Sequence, residues 1–364
     1  MRLPSYQDLS KEQDRINNLS LEASHLIVGP PGTGKTVMAL YRAKMLQKKS
    51  AAAILLMYSR LLSQYTSAAV LELGIDGVVK TFHSWFWQFY RRLYRREPPQ
   101  IEDFKYDWTE VLSKVNLSPP EENGLPHLII DEGQDLPKQF FPVARHLARY
   151  LTIFADENQR LWEDNSTIDE IKTYSGINQI HSLTRNYRNT YEIAQLAAHC
   201  YTGLKSGIPK LPERHGDTPV MVHHQNLNDA VQFIARFENS NSDLDIGVFT
   251  ATKKLQRKFV NRLDGKTKNP VEFFEGGHGA QGNVLSFGRP GIKVINFQSA
   301  KGLEFDAVFI PELQQVDVSP NDPVLRMKFY VLISRARDRL FLSYSGADEP
   351  RILPILPRNL LEWR

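Results

Sequence analysis

The segment that most constrains the fold of this chain is GPPGTGKT, which occupies positions 29–36. It fits the pattern G-x-x-x-x-G-K-[ST] and follows the apolar run Leu26–Val28, which predicts a strand. A helical pattern begins at Thr36. An ordinary glycine turn is the alternative, but the order strand, loop, helix favours a phosphate loop whose backbone N–H groups and helix N-terminus bind phosphate. Within it, Lys35 is expected to reach the β- and γ-phosphates of a nucleotide.

A second apolar run, Leu128–Ile130, leads directly into Asp131 and Glu132. A phosphate loop needs a carboxylate at the tip of a neighbouring strand to hold Mg²⁺. We therefore predict that Asp131, together with Thr36, forms a Mg²⁺ site and that Glu132 is the general base for the attacking water. Two solvated loop acids are the alternative, and their position at the end of an apolar strand disfavours it.

Apolar runs alternate with helical patterns along the whole chain, which predicts α/β layers around parallel sheets. The length of 364 residues suits two domains, with the boundary expected between residues 179 and 180. An apolar fraction of 41% and a charged fraction of 24% are typical of a soluble globular protein. No segment has the roughly 18 apolar residues of a membrane span. The single cysteine, Cys200, and the absence of an export signal indicate the cytoplasm.

Further motifs follow the phosphate loop in a fixed order, and together they resemble the UvrD/Rep-type superfamily 1 DNA helicases. They are DEGQD (131–135), IFADENQRLW (153–162), LTRNYRNT (183–190), NFQSAKGLEFDAVFI (296–310) and YVLISRARDRLFLSY (330–344). The resemblance implies two RecA-like P-loop NTPase lobes, 1–179 and 180–364, with ATP and Mg²⁺ as cofactors. It also implies that the C-terminal lobe supplies arginine fingers.

The resemblance assigns roles to residues around the nucleotide. Gln159 is expected to sense the γ-phosphate, and Arg188 and Arg335 are expected to approach it from the second lobe. Gln134 would couple the ATP site to the DNA side. Gln13 would read adenine, Arg42 and Tyr187 would sandwich its ring, and Glu304 would contact the ribose. The full set of predicted ATP-binding residues is Gln13, Gly29, Pro30, Pro31, Gly32, Thr33, Gly34, Lys35, Thr36, Arg42, Tyr187, Gly302 and Glu304.

The resemblance also indicates a surface for single-stranded DNA. The predicted contacts are Tyr58, Thr81, Phe82, His83 and Trp162, of which the aromatic side chains could stack on bases. Core packing is the alternative for Phe82. The segment QFYRRLYRREPP (88–99) would place four arginines along one side of a helix, either as a solvated face or as a surface that follows phosphates.

The chain has little room for the insertions that relatives carry in each lobe, namely residues 85–126 and 264–292, so it resembles a compact member of the family. The function expected first is an ATP-dependent single-stranded-DNA translocase or helicase. The alternative is a nucleotide-switched regulatory ATPase that controls a partner nuclease, as in bacterial anti-phage systems; acidic residues 163–164 after Trp162 motivate it. A small-molecule kinase would not explain Arg188, Arg335 and SAKGLEF.

Overall fold

The computed structural model describes residues 3–75, 77–103, 105–156, 166–203, 207–275, 284–316, 319 and 321–364. The chain divides into two compact units between Thr184 and Arg185. The division lies after the predicted boundary at 179/180 because the strand Ile180–Ser182 pairs with the first strand of the N-terminal unit. Residues 180–184 therefore belong to the N-terminal unit.

The N-terminal unit contains a six-stranded sheet in which all neighbouring strands run parallel. The strand order is β3-β2-β6-β7-β1-β8. These strands are β1 (His25–Val28), β2 (Ala53–Met57), β3 (Val79–Thr81), β6 (His127–Ile130), β7 (Tyr150–Ala155) and β8 (Ile180–Ser182), and a separate hairpin is formed by β4 (Gln100–Glu102) and β5 (Lys105–Tyr106).

Seven helices among the described residues accompany this sheet. They are α1 (Lys11–Asn17), α2 (Lys35–Lys48), α3 (Arg60–Leu73), α4 (Phe82–Tyr94), α5 (Trp108–Leu117), α6 (Phe140–Leu147) and α7 (Ile168–Ser175). Residues 96–126 have an irregular sequence, yet they contain the hairpin and α5, whose first turn is capped by Asp107. The hairpin and α5 place Tyr106 and Trp108 against Phe86 of α4, with ring centroids 4.8 and 5.1 Å from it. This aromatic packing makes Tyr106 part of the core, with Trp108 packed against it.

The C-terminal unit contains a seven-stranded sheet in the order β11-β12-β10-β13-β14-β9-β15, again with parallel neighbours. The strands are β9 (Val220–His224), β10 (Asp245–Thr250), β11 (Val271–Phe274), β12 (Gly291–Asn296), β13 (Phe305–Ile310), β14 (Ala336–Ser345) and β15 (Glu362–Trp363). The helices are α8 (Tyr191–His199), α9 (Leu227–Ser240), α10 (Lys253–Leu263) and α11 (Pro323–Ile333).

The central strands of the two parallel sheets are mostly apolar and buried, as expected where helices cover both faces, whereas the edge strands are partly exposed. The predicted α/β class is confirmed. Cys200 follows α8 and is fully buried, and burial raises the pKa of its thiol to about 12. In the parts of the chain that the structure describes, no helix combines the length and apolar character needed to cross a membrane.

Candidate nucleotide-binding site

The phosphate loop lies between β1 and α2, as the sequence predicts, and its glycines are required by its geometry. Gly34 precedes the first residue of α2 with a φ of 87°, which is left-handed. A Cβ atom at Gly29 would lie 2.8 Å from the carbonyl oxygen of Leu183. Thr33 closes the loop by donating from its hydroxyl to the carbonyl of Pro30 at 2.9 Å. The other loop positions, Pro31 and Gly32, are buried, and Gly32 is also left-handed.

Lys35 is buried at the mouth of this loop. Its ammonium group donates to the carbonyls of Gly29 (2.5 Å) and Pro30 (3.0 Å) and to the carboxylate of Asp156 (3.2 Å). Asp156 is itself fully buried and directly follows β7. The cation is therefore fixed beside the loop by backbone carbonyls and one carboxylate, which suits a group that binds phosphate oxygens.

Asp131 and Thr36 form the corner of the site where a divalent cation would fit. The hydroxyl of Thr36 donates to Oδ2 of Asp131 at 2.7 Å. Oδ1 of Asp131 is buried and has no hydrogen-bond partner among the described residues. Burial, followed by the adjacent charge of Glu132, raises the pKa of the Asp131 carboxyl. A buried carboxylate with an unused oxygen next to a hydroxyl suits Mg²⁺, which keeps several waters and needs few protein ligands.

Glu132 has a left-handed backbone, with φ 54° and ψ 47°, and begins a 3₁₀ turn over Gly133–Asp135. A non-glycine residue in this conformation costs roughly 1–2 kcal/mol and persists only where its surroundings hold it. Gln134 supplies that support, since its amide nitrogen donates to the carboxylate of Glu132. Its amide oxygen accepts from the backbone N–H of Asp156 at 2.9 Å. Gln134 thus connects the predicted general base to the end of β7.

Gln13 lies against the phosphate loop, as expected for a residue near the nucleotide. Its amide nitrogen donates to the carbonyl of Thr33 at 3.2 Å, and its amide oxygen accepts from the backbone of Ser10 at 3.1 Å. The contact with adenine stays a prediction.

The surroundings of Arg42 do not favour its predicted stacking on the adenine ring. Its side chain is only 3% exposed. The guanidinium donates to the hydroxyl of Thr152 at 2.7 Å and to the carbonyls of Leu19 (3.2 Å) and Ser20 (2.6 Å). Burial lowers its pKa to about 10. These bonds hold the loop before β1 to β7, so Arg42 has a structural role and leaves little exposed surface for a purine.

In the C-terminal unit, Arg188 and Glu304 form an ion pair, with Nε and Oε2 2.8 Å apart. Nη1 of Arg188 is buried and lacks a hydrogen-bond partner among the described residues. Gly302 precedes Glu304 in a left-handed turn with φ 78°. Tyr187 exposes 38% of its surface, so its ring is available for stacking.

Arg335 is 1% exposed and lies at the corner between α11 and β14. Its guanidinium donates to the carbonyl of Val331 (2.9 Å), to the carbonyl of Leu303 (3.3 Å) and to the hydroxyl of Ser334 (3.1 Å). Those bonds fix the orientation of the Arg335 side chain within the C-terminal unit.

The predicted DNA contacts divide into surface and core. Tyr58 is 44% exposed, and its ring centroid lies 5.8 Å from that of the partly exposed His83. Thr81 is the partly exposed residue before α4. Phe82 is 1% exposed and its centroid lies 4.8 Å from that of Phe140. Phe82 therefore packs in the aromatic core, which is the alternative considered for it, and its contact with DNA stays a prediction.

The basic segment is also shorter than predicted. Helix α4 ends at Tyr94, and Arg95 has a left-handed φ of 56°, so Arg95 and Arg96 do not continue the helical face. Arg91 and Arg92 remain on α4 and are exposed. Each lies over an aromatic ring, Arg91 at 5.0 Å from the centroid of Trp87 and Arg92 at 5.2 Å from that of Phe89.

Two predicted residues, Gln159 and Trp162, lie outside the described residues. One member of the site was missed. Asp156 pairs with Lys35, and its signal is the one that identified Asp131, namely an acidic residue directly after an apolar strand.

Comparison with known proteins bears on the family of the C-terminal unit and on the fold of the chain. Residues 280–347 match the model of the UvrD-like helicase C-terminal domain. The predicted resemblance to UvrD-type helicases is confirmed there. A search of curated proteins found no match.

Among solved structures, Saccharomyces cerevisiae Dbp5 bound to RNA and ADP BeF3 is 14% identical, with 99% of this chain and 90% of that chain covered and a TM-score of 0.53. The C-terminal domain of a possible DNA helicase from Lactobacillus plantarum WCFS1 is 23% identical, with 49% and 98% covered and a TM-score of 0.38. The likeness to Dbp5 concerns the fold alone, and at that level the predicted RecA-like architecture is confirmed.

Proposed function

We propose that this chain, which carries a UvrD-like helicase C-terminal domain, is an ATP-dependent motor that moves along single-stranded DNA. The observation that carries the proposal is the convergence of Lys35, Thr36, Asp131 and Glu132 at the carboxyl ends of β1 and β6. Phosphate binding, metal binding and activation of water each have a residue there of the required chemical type.

The site supports hydrolysis of a nucleoside triphosphate. The phosphate loop and Lys35 bind the phosphates, and Thr36 and Asp131 would hold a Mg²⁺ ion that would supply positive charge to the phosphate oxygens. Glu132 is positioned by Gln134 and accepts the proton of the attacking water. Gln13 contacts the phosphate loop and is the candidate residue for recognition of the adenine base.

The C-terminal unit supplies positive charge for the transition state in this proposal. Arg188 is the stronger candidate, because its Nη1 is buried and has no hydrogen-bond partner among the described residues. Arg335 is the second candidate, and its direction is fixed by the carbonyls it contacts. Arginine fingers typically contribute 10³- to 10⁵-fold to phosphoryl transfer.

The nucleic-acid surface of the proposal runs from Tyr58 and His83 onto the exposed side of α4. The two rings are close enough to stack on neighbouring bases. Arg91 lies eight residues after His83, about 12 Å along the helix axis at 1.5 Å per residue. The stacked arginines Arg91 and Arg92 offer charge to the phosphate backbone of the same strand.

The test is ATP hydrolysis by the full chain with Mg²⁺, measured without nucleic acid and with single-stranded DNA, single-stranded RNA and duplex DNA. We expect hydrolysis that single-stranded DNA stimulates and that Lys35→Ala abolishes. Tyr58→Ala should raise the concentration of DNA needed for half-maximal stimulation by roughly tenfold, the loss of one stacked base. Hydrolysis that no oligonucleotide stimulates would contradict a DNA motor and favour the regulatory ATPase.

A further inference from the structure

The segment that carries Arg188 is a tight turn built by two buried asparagines. Oδ1 of Asn186 accepts from the backbone N–H groups of Arg188 (2.9 Å) and Asn189 (3.2 Å). The amide nitrogen of Asn186 donates to Oδ1 of Asn189 at 2.7 Å. The two asparagines are 4% and 0% exposed. Arg188 therefore projects from a turn whose backbone is fixed from inside.

Asn189 also connects this turn to the segment that carries Arg335. Its amide nitrogen donates to the carbonyl of Ser334 at 3.1 Å and to the carbonyl of Ala336. These two carbonyls flank Arg335 in sequence, so a single amide group holds the backbone on both sides of that arginine. The two segments are nearly 150 residues apart in sequence, and this buried amide joins their backbones directly.

Arg214 makes a second connection between the same two segments, on the exposed side. Its Nη2 donates to the carbonyls of Arg188 and Arg337, each at 2.7 Å. Its Nη1 donates to the carboxylate of Asp338. The planar guanidinium fork of Arg214 thus bridges the backbone of the Arg188 turn and the start of β14.

We propose that Asn189, supported by Asn186 and Arg214, is a positioning residue that sets Arg188 and Arg335 as one rigid pair for the transferring phosphoryl group. This inference rests on the proposed function, because it assumes that both arginines act in ATP hydrolysis. The physical argument is that a buried amide must satisfy its hydrogen bonds, and here it does so only when the two arginine segments keep one relative placement. A displacement of about 1 Å in a catalytic group can cost 10²-fold in rate.

The first experiment compares Asn189→Ala with Asn269→Ala in the full chain, under saturating Mg²⁺ and single-stranded DNA. Asn269 is the matched control, because its amide nitrogen also makes two bonds within the C-terminal unit, to Glu238 and to the carbonyl of Ser242, each 2.7 Å long. We expect Asn189→Ala to lower kcat by about 10- to 100-fold with less than about a threefold change in the KM for ATP. Asn269→Ala should keep kcat within about twofold of the unchanged chain.

The second experiment separates positioning from a general structural role. The double variant Asn189→Ala/Arg335→Ala should lose less than the product of the two single losses, because part of the effect of Asn189 is exerted through Arg335. Losses that multiply would overturn the inference. If Asn189→Ala fails to fold, the partly exposed Arg214→Ala decides, with an expected loss in kcat of about fivefold at unchanged KM; an unchanged kcat in that variant would overturn it.

The single variants Arg188→Ala and Arg335→Ala distinguish the two proposals. If neither lowers ATP hydrolysis, the proposed function is wrong about the arginines. If both lower it while Asn189→Ala and Arg214→Ala keep the unchanged kcat, the function stands and the positioning role is wrong.

Discussion

The two units contain the same turn at the end of a central strand, and the comparison separates fold from chemistry. Glu132 follows β6 with φ 54° and ψ 47°, and Glu312 follows β13 with φ 60° and ψ 45°. Each glutamate begins a 3₁₀ turn, over Gly133–Asp135 and Leu313–Gln315, and each is buried. Positive φ is uncommon for a glutamate, so its occurrence at both places points to a shared structural requirement.

A glutamine two residues later supports each turn in the same way. Gln134 donates to Glu132 and accepts from the backbone N–H of Asp156 after β7. Gln314 donates to Glu312 at 2.9 Å and accepts from the backbone N–H of Ser345 at the end of β14. In both sheets, the strand that leads to this N–H group lies directly beside the strand that precedes the turn. The glutamine therefore belongs to the architecture of the lobe.

The difference lies in what surrounds each glutamate. Asp131 precedes Glu132 and contacts Thr36 of the phosphate loop, whereas Pro311 precedes Glu312. The carboxylate of Glu312 instead accepts from neutral donors, namely the hydroxyl of Ser345 and the amide nitrogens of Gln314 and Gln315. The same backbone thus presents the proposed general base in one unit and a hydrogen-bonded structural carboxylate in the other, and the neighbouring residues make the difference.

The largest expected effect is on turnover. Glu132→Gln should lower ATP hydrolysis by about 10²- to 10⁴-fold while ATP binding is kept, because it removes the proposed general base and little else. Glu312→Gln should change turnover by less than about threefold. Steady-state hydrolysis and equilibrium binding of a labelled ATP measure both. Equal losses in the two variants would show that the turns are not chemically distinct.

Glu132 is expected to matter more for turnover, whereas Glu312 is expected to matter more for stability. Glu312→Ala should lower the free energy of unfolding by about 2–3 kcal/mol, since Ser345 and Gln314 lose their charged acceptor. Glu132→Ala should cost less than about 1 kcal/mol, because it removes the repulsion with Asp131 that raises the pKa of that carboxyl. Urea denaturation gives both values, and a larger cost at Glu132 would refute the assignment.

Acid should weaken the N-terminal unit through the strand that leads to Asp131. Burial lowers the pKa of His127, at the start of β6, from 6.5 to about 3. A histidine whose pKa is lower in the folded state contributes its full stability above pH 6.5, the unfolded-state value. The free energy of unfolding then falls as the pH drops toward the folded-state pKa of about 3. At about 1.36 kcal/mol per pH unit, the loss between pH 7 and pH 5 is about 2 kcal/mol. Hydrogen exchange at several pH values measures this loss in β6, with β13 of the C-terminal unit as the comparison. His127→Gln should make the stability of β6 less dependent on pH.

The smallest effect concerns the two glutamines. Gln134→Ala should lower DNA-stimulated hydrolysis by about tenfold, the value of one hydrogen bond to a charged group. Gln314→Ala should leave it within about twofold. The ratio of stimulated to basal rate is the decisive measurement. If Gln134→Ala lowers both rates equally, Gln134 orients Glu132 without coupling it to nucleic acid.

The sequence predicted those features whose cause is local. The phosphate loop and the strands that contain Leu26–Val28 and Leu128–Ile130 depend on short apolar runs and glycines, which the sequence displays directly. The sequence did not predict the strands Ile180–Ser182 and Val271–Phe274. Short edge strands lack a strong apolar pattern and depend on pairing with a neighbouring strand.

Residues whose environment is assembled from distant segments could not be predicted. Arg42 is buried because the carbonyls of Leu19 and Ser20 and the hydroxyl of Thr152 meet around it. Phe82 is in the core because Phe140 reaches it from another helix. The turn at Glu312 has no second acid to draw attention to it, so only its backbone geometry reveals the likeness to Glu132.

The burial of Cys200 has a practical consequence. It is the only cysteine in the chain, and its thiol is inaccessible and, with a pKa of about 12, almost wholly protonated at neutral pH. Thiolates are the species that react with maleimide dyes. A cysteine introduced on the surface of each unit would therefore be labelled selectively in the otherwise native chain. Fluorescence transfer between the two dyes would then report whether added ATP changes the distance between the labelled positions.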